Sequence, residues 1–165
     1  MKEIKYFLSV IILSGIVLYS GCGGGEDGTP LTDQQKAAQS LAEGSPWSVS
    51  SVSSKPSADV DVTELENLSL SFGITGTDSE IAPQSFSASG AANFITTTSA
   101  SWSWAGSGIS TISIIGSSVS QFTNVSLSPN IDNPTSLTLS FTVQNAGGRT
   151  QGIVGDYTIQ LDPNN

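Results

Sequence analysis

The chain has no histidine, a single cysteine, and only five lysines and arginines in 165 residues. Without histidine, the serine–histidine triads and the zinc–histidine sites are excluded. One cysteine cannot form an internal disulfide. The 14 acidic residues give a formal net charge of −9, and a surface this negative repels the phosphates through which proteins bind nucleic acid. We therefore expect no nucleic acid among the partners.

The acidic residues are densest in "ADVDVTELEN", which holds Asp59, Asp61, Glu64 and Glu66. A calcium site needs about six to eight oxygens around the ion, and this spacing lacks the glycine-turned loop of the known motif. The run therefore predicts a solvated hairpin loop and no metal site. A pair of carboxylates could still hydrolyse glycosidic bonds, but nothing distinguishes two of the acids as such a pair. We expect a protein that is not an enzyme and has no cofactor.

The first 21 residues have the three parts of a signal peptide. Lys2 and Lys5 form a short basic segment, and the apolar run "FLSVIILSGIVLY" follows over residues 7–19. As a helix rising about 1.5 Å per residue, this run spans about 20 Å, which is less than the roughly 30 Å of a bilayer core. Residues 1–21 are therefore predicted to direct export and to be removed.

The lone cysteine follows directly after this segment, in "LYSGC". The stretch resembles the bacterial lipobox: Ser20 and Gly21 match the small residues of that motif, whereas Tyr19 stands where the motif prefers leucine. The resemblance implies that the thiol of Cys22 is acylated, for example with palmitate, and that Cys22 becomes the new N-terminus. Two or three acyl chains anchor a protein stably in a membrane. The alternative is an ordinary signal peptide followed by an unrelated free cysteine.

Residues 22–30 are glycine-rich and are predicted to form a flexible tether. The acidic pair Glu26 and Asp27 resembles the export tag of some Gram-negative lineages. This resemblance implies an outer-membrane lipoprotein exposed at the cell surface. The alternative is that the pair only solvates the linker.

One helix is predicted, over residues 32–43. Thr32 is a suitable N-cap and Gln35 completes a capping box, and Gly44 is expected to end the helix in the left-handed conformation. The apolar stripe of this helix is small, so we expect it to lie against one end of the domain as a lid or plug.

From Pro46 onward, apolar residues alternate with Ser and Thr, which is typical of strands covered on one face. The pattern predicts eight strands, with a kink at Gly90, over residues 47–52, 67–74, 85–97, 99–106, 109–116, 120–128, 136–145 and 155–161. No helix separates these strands, so neighbours are antiparallel. Residues 31–165 are therefore predicted to form one all-β domain, either a closed up-and-down barrel or a β-sandwich.

The order of the segments resembles lipocalin-like lipoproteins of bacteria over residues 31–162. It runs from lipid anchor to helix, a Trp-bearing first strand, "SWSW", and "SLTLSFTV…GR…G…GDYTIQL". The resemblance implies an eight-stranded barrel. In that family a first-strand tryptophan plugs the closed end and an arginine stacks on it, which here implies Trp47 and Arg149. The chain departs from the family by one extra residue between Gly44 and Trp47 and by placing Arg149 before the last strand.

The large inward side chains either line a ligand site or form the core. They are Trp47, Trp102, Trp104, Phe72, Phe141 and Tyr157. The leading hypothesis is a lipid-anchored cell-envelope protein whose barrel binds a small apolar or amphiphilic ligand. The alternative is a structural or adhesion module, built as a β-sandwich, that contacts a protein or glycan partner.

Overall fold

The structure, a computed structural model, describes residues 30–144 and 151–164. Helix α1 (Asp33–Glu43) comes first. The eight strands are β1 (Trp47–Ser54), β2 (Ser69–Thr75), β3 (Ala82–Ser89), β4 (Thr97–Trp104), β5 (Ile112–Ser117), β6 (Gln121–Ser128), β7 (Ser136–Val143) and β8 (Gly155–Pro163). Short 3-10 turns occupy Leu65–Asn67, Asp78–Glu80 and Gln151–Ile153.

The eight strands form one closed barrel in sequence order. Every strand pairs antiparallel with the next, and β8 pairs with β1 to close the sheet. The predicted all-β, up-and-down barrel with a short N-terminal helix is confirmed, and the sandwich alternative is wrong. The architecture is compatible with a calycin-like fold. The predicted signal peptide and nearly all of the predicted tether lie outside the described residues.

Strand β7 shows why this sequence closes around a core. Leu137, Leu139, Phe141 and Val143 are each at most 2% exposed, and the Ser and Thr residues between them face outward. Side chains of a strand point alternately to its two faces. Strict alternation therefore buries every apolar residue and leaves the hydroxyl groups in water.

The third strand differs from its predicted range of 85–97. Strand β3 ends at Ser89, and residues 90–96 form the connection to β4. Gly90 has a φ of +86°, and the N–H groups of Phe94 and Ile95 both donate to the carbonyl of Ala91. The apolar residues of this stretch are buried because the turn folds them over the barrel, not because they alternate along a strand.

The N-terminus of α1 has the predicted capping box. The Thr32 hydroxyl accepts the backbone N–H of Gln35 at 3.3 Å, and the Gln35 side chain accepts the N–H of Thr32 at 2.9 Å. The C-terminus corrects the expectation for Gly44, whose φ of −77° is right-handed. A Cβ at this position would lie 2.3 Å from Cζ2 of Trp47. Glycine is needed here for the close approach of the indole, not for a left-handed turn.

Helix α1 covers one end of the barrel, as predicted. Its polar side chains bond to the β2–β3, β4–β5 and β6–β7 loops, which all lie at this end. The bonds are Gln35 Nε2 to Ser79 O (2.5 Å), Gln34 Nε2 to Gly106 O (2.8 Å) and Ser40 Oγ to Ile131 O. The helix is thus fastened to three separate loops.

The opposite end is covered by the β1–β2 loop (residues 55–68) and the β3–β4 loop (residues 90–96). These loops bury Leu65, Phe94 and Ile95 at 2% exposure or less. They are joined by Glu64, whose carboxylate accepts the backbone N–H of Asn93 at 2.8 Å and its side-chain amide at 2.5 Å. We call this the far end of the barrel.

Candidate functional site

A continuous series of eight aromatic rings crosses the barrel interior. Neighbouring ring centroids are 5.3–5.9 Å apart, and most pairs meet edge to face. This spacing is the favoured contact range for aromatic pairs. The order of the rings is Trp104, Trp102, Phe72, Phe86, Phe122, Phe141, Tyr157 and Phe94. The series therefore runs from the α1 end to the far end.

The six aromatic residues singled out from the sequence all lie in or against the core. Trp104 is half-buried, and the other five are at most 3% exposed: Trp47, Phe72, Trp102, Phe141 and Tyr157. The buried side chains of the described residues form one contiguous cluster. Whether these residues also contact a ligand stays a prediction.

The polar atoms of these aromatic side chains all have protein partners. The three indole N–H groups and the tyrosine hydroxyl each donate to a backbone carbonyl. The bonds are Trp47 to Leu41 (2.8 Å), Trp102 to Gly73 (2.9 Å), Trp104 to Gln34 (3.1 Å) and Tyr157 to Ile153 (2.8 Å). In the described part of the chain, no buried side-chain nitrogen or oxygen lacks a hydrogen bond. Among the described residues, the interior thus presents no unpaired buried side-chain nitrogen or oxygen to a ligand.

Trp47 lies outside the aromatic series, beneath α1. It is fully buried, and the plug role that the lipocalin resemblance implies for it stays a prediction. Arg149, its expected stacking partner, falls outside the described residues, as does the expected lipid anchor, Cys22. The proposed stack and the proposed anchor therefore stay predictions.

Tyr157 is the buried titratable residue of the interior. Burial raises the pKa of its hydroxyl above the usual value, because the surroundings disfavour the charged phenolate. The hydroxyl donates to a carbonyl, so it is held in its protonated form. This is the arrangement of a structural tyrosine, not of one prepared to accept a proton.

The acidic run lies in the β1–β2 loop at the far end. Asp59, Asp61 and Glu66 are exposed, whereas Glu64 is occupied by its bonds across to the β3–β4 loop. The backbone N–H of Thr63 donates to Asp61 at 2.9 Å, and this bond lowers the pKa of that carboxyl. Within residues 30–144 and 151–164, no cluster of three or more acidic, Cys or His residues could hold a metal ion.

The outer wall of the barrel is almost free of charge. Asp156 and Asp162 are the charged residues of the eight strands, and most other outward positions are Ser or Thr. Among the described residues, Ile115 is the large hydrophobic side chain that stands exposed. The charged residues are instead concentrated at the two ends. The wall is thus a nearly uncharged surface rich in hydroxyl groups.

Two adjoining clefts form a groove on the outer face of β6, β7 and β8. The larger has a volume of about 330 Å³ and the smaller about 140 Å³. We call this the wall groove. Its lining is Ser118, Ser120, Gln121, Thr123, Asn124, Ser140, Phe141, Thr142, Gln144, Asp156, Tyr157 and Thr158. The wall groove was not predicted from the sequence, because Ser/Thr alternation predicts an outward face but not where that face is concave.

A third cleft, of about 370 Å³, lies between α1 and the β6–β7 loop. Glu43 and Asp132 line it, and Asp132 pairs with Lys36 at 3.8 Å. Both partners of this ion pair are substantially exposed, so it contributes little to stability. The cleft adjoins the helix that follows the predicted tether.

Comparison of the chain with models of protein families, with curated proteins and with solved structures found no match. Within the part that the structure describes, no helix is both long and apolar enough to cross a membrane.

Proposed function

We propose that the protein is an exported lipoprotein, anchored in the cell envelope through acylated Cys22, and that its barrel is a binding module and not an enzyme. The observation that carries the anchor is the stretch "LYSGC" directly after the apolar run of residues 7–19, and the place where the predicted tether joins the domain gives the orientation. The tether ends at residue 30, and α1 begins at Asp33 against one end of the barrel. The α1 end is therefore held near the membrane, and the far end points away from it.

The charges at the α1 end keep the tethered barrel off the membrane surface. Asp33, Glu43, Asp78 and Glu80 are exposed there, against the single cation Lys36. This acidic surface disfavours close contact with anionic lipid headgroups. A glycine-rich tether of nine residues has a root-mean-square length of roughly 15–18 Å. The barrel thus stands clear of the bilayer, with its wall and far end accessible.

The contiguous core favours binding of a partner on the outside of the barrel. The aromatic rings already make the contacts with one another that a bound molecule would have to replace. These contacts support an adhesion or structural role with a protein or glycan partner. The module that plays this role is a barrel and not a β-sandwich.

A small apolar or amphiphilic ligand inside the barrel is the second candidate. The predominantly apolar interior favours it, because such a ligand would meet mainly carbon-rich surfaces. To enter, it would have to separate rings of the aromatic series and move one of the covering loops. Native mass spectrometry of the protein purified from its own envelope tests this candidate. A reproducible adduct of lipid size supports it, and a bare protein mass under gentle conditions contradicts it.

The anchor is tested by fractionating cells that express the protein with Cys22→Ser. We expect wild type in the membrane fraction, labelled by radioactive palmitate, and the variant unlabelled and outside that fraction. A matched control carries Cys22→Ser together with Gly25→Cys, which restores a thiol three residues from its expected place. This control should also fail to label. Membrane association of Cys22→Ser equal to wild type would overturn the lipoprotein proposal.

A further inference from the structure

We propose that the wall groove is a binding site for a neutral saccharide. This inference rests on the proposed function, in which a partner binds on the outside of the barrel, and it names the site and the class of ligand. The site is formed by side chains of three neighbouring strands. Its volume of about 330 Å³ in the larger cleft lies within the range of small-molecule sites.

Two rows of hydrogen-bonding side chains cross the groove. In the first, the Asn124 amide donates to the Ser140 hydroxyl at 3.2 Å, and Ser140 lies 2.9 Å from the Thr158 hydroxyl. In the second, the Thr142 hydroxyl donates to Asp156 Oδ1 at 2.6 Å. The rows are two residues apart along β7 and β8, which is about 7 Å in a strand. A pyranose ring with its hydroxyl groups can bridge that spacing.

The bonds within each row hold the groups in place before any ligand binds. Hydroxyl groups act as donors and acceptors at once, so each can still bond to a sugar hydroxyl while it bonds to its neighbour. Asp156 and Asn124 provide further carboxylate and amide oxygens as acceptors. A sugar, whose hydroxyls likewise donate and accept, matches this set of groups.

A bulge in β6 aims Asn124 into the groove. The pairing of β6 with β7 shifts register between Thr123 and Ser126, and Asn124 lies in the shifted segment with a φ of +50°. Bulges redirect side chains and are frequent beside binding sites. The left-handed backbone conformation is uncommon outside glycine. Here it places the Asn124 amide on the same side as Ser140.

The charge of the groove selects against anionic ligands. Asp156 is the charged residue among its described lining, and no lysine or arginine of the described chain belongs to that lining. The two inward aromatic residues of the lining, Phe141 and Tyr157, are buried and stacked on each other, so they offer no flat face to a sugar. Recognition through exposed hydrogen bonds alone predicts weak binding that depends on the arrangement of the sugar hydroxyls.

The test measures saccharide binding to the protein solubilised from its membrane in mild detergent. Neutral oligosaccharides of glucose, mannose, galactose and xylose are compared with oligogalacturonate by saturation-transfer NMR and calorimetry. The variants Thr158→Val and Asn124→Ser remove or shorten one group of the first row. The matched control is Thr75→Val, which deletes an exposed hydroxyl at the end of β2, away from β6–β8.

We expect at least one neutral oligosaccharide to bind saturably and oligogalacturonate not to bind. Thr158→Val and Asn124→Ser should weaken the binding at least tenfold, and Thr75→Val should leave it unchanged. Failure of every neutral saccharide to bind would overturn the proposal, and so would binding that the first-row variants leave unaltered. None of these results depends on palmitate labelling at Cys22, so failure of the groove and failure of the anchor are distinguishable.

Discussion

Replacement of Gly44 by alanine gives the most specific test of how α1 is joined to the barrel. The backbone at Gly44 has ordinary right-handed angles, so alanine adopts it without strain. At such positions Gly→Ala stabilises proteins by about 0.4–1 kcal/mol, because the unfolded chain loses freedom. Backbone considerations alone therefore predict a more stable variant.

The packing around Gly44 predicts the opposite. An alanine Cβ would lie 2.3 Å from Cζ2 and 2.7 Å from Cε2 of Trp47, whereas carbon atoms in contact are about 3.5–4.0 Å apart. Trp47 is fully buried and its indole N–H is bonded to Leu41, so the ring has no free direction in which to move. Overpacking of this kind costs about 1–3 kcal/mol.

The net expectation for Gly44→Ala is a destabilisation of about 1–2 kcal/mol. Urea denaturation followed by tryptophan fluorescence measures it directly. Gly108→Ala is the matched control, because its Cβ would meet only the Ser110 hydroxyl at 4.0 Å, and it should be neutral or slightly stabilising. In a Trp47→Phe background the cost of Gly44→Ala should shrink. Equal or greater stability of Gly44→Ala in the wild-type background would show that the Trp47 ring does not restrict this position.

Two further predictions concern residues at opposite ends of the domain. Beyond the predicted leader, Tyr157 is the only tyrosine, so the absorbance of residues 31–165 at 295 nm should titrate at a pKa above the ordinary value of about 10. The folded state holds the phenol proton of Tyr157 more tightly than the unfolded chain does. The stability that this difference contributes should therefore be complete below pH about 10 and should fall as the pH rises further. Titration of Tyr157 at the ordinary pKa would contradict this prediction. Thr32→Ala removes the N-cap of α1 and should lower the free energy of unfolding, measured by urea denaturation, by about 0.5–2 kcal/mol. Thr32→Ser keeps the hydroxyl group and should retain most of that stability. An unchanged urea midpoint for Thr32→Ala would contradict the capping geometry.

Most of the fold was predictable because local pattern and global architecture agree. Strict alternation of apolar and hydroxyl residues from Ser136 to Val143 predicts both strand β7 and the face of it that is buried. The Thr32 and Gln35 pair likewise marks the start of α1 without tertiary information. The prediction was wrong at positions whose conformation is determined by tertiary contacts. Gly44 was expected to be left-handed, but the nearby indole determines its role, and the third strand was misplaced because its apolar residues belong to a turn.

The wall groove could not be predicted in the same way. Ser140 and Thr158 are outward residues of clean strands, and the sequence places them on the wall correctly. What brings them into one row with Asn124 is the register of β7 against β8 and the bulge in β6. Register is set by pairing across the whole barrel, and a bulge of one residue has no reliable signature in so uniform a Ser/Thr background.

We propose that a lipid on Cys22 holds the barrel at the membrane, and the intact mass of the mature protein tests this claim. The protein is extracted from the envelope in detergent and its mass is measured whole and after removal of ester-linked acyl chains. We predict a chain that begins at Cys22 and carries a diacylglyceryl group, with a loss of two acyl chains on ester cleavage. A chain that retains residues 1–21, or one with an unmodified Cys22 thiol, would contradict the claim.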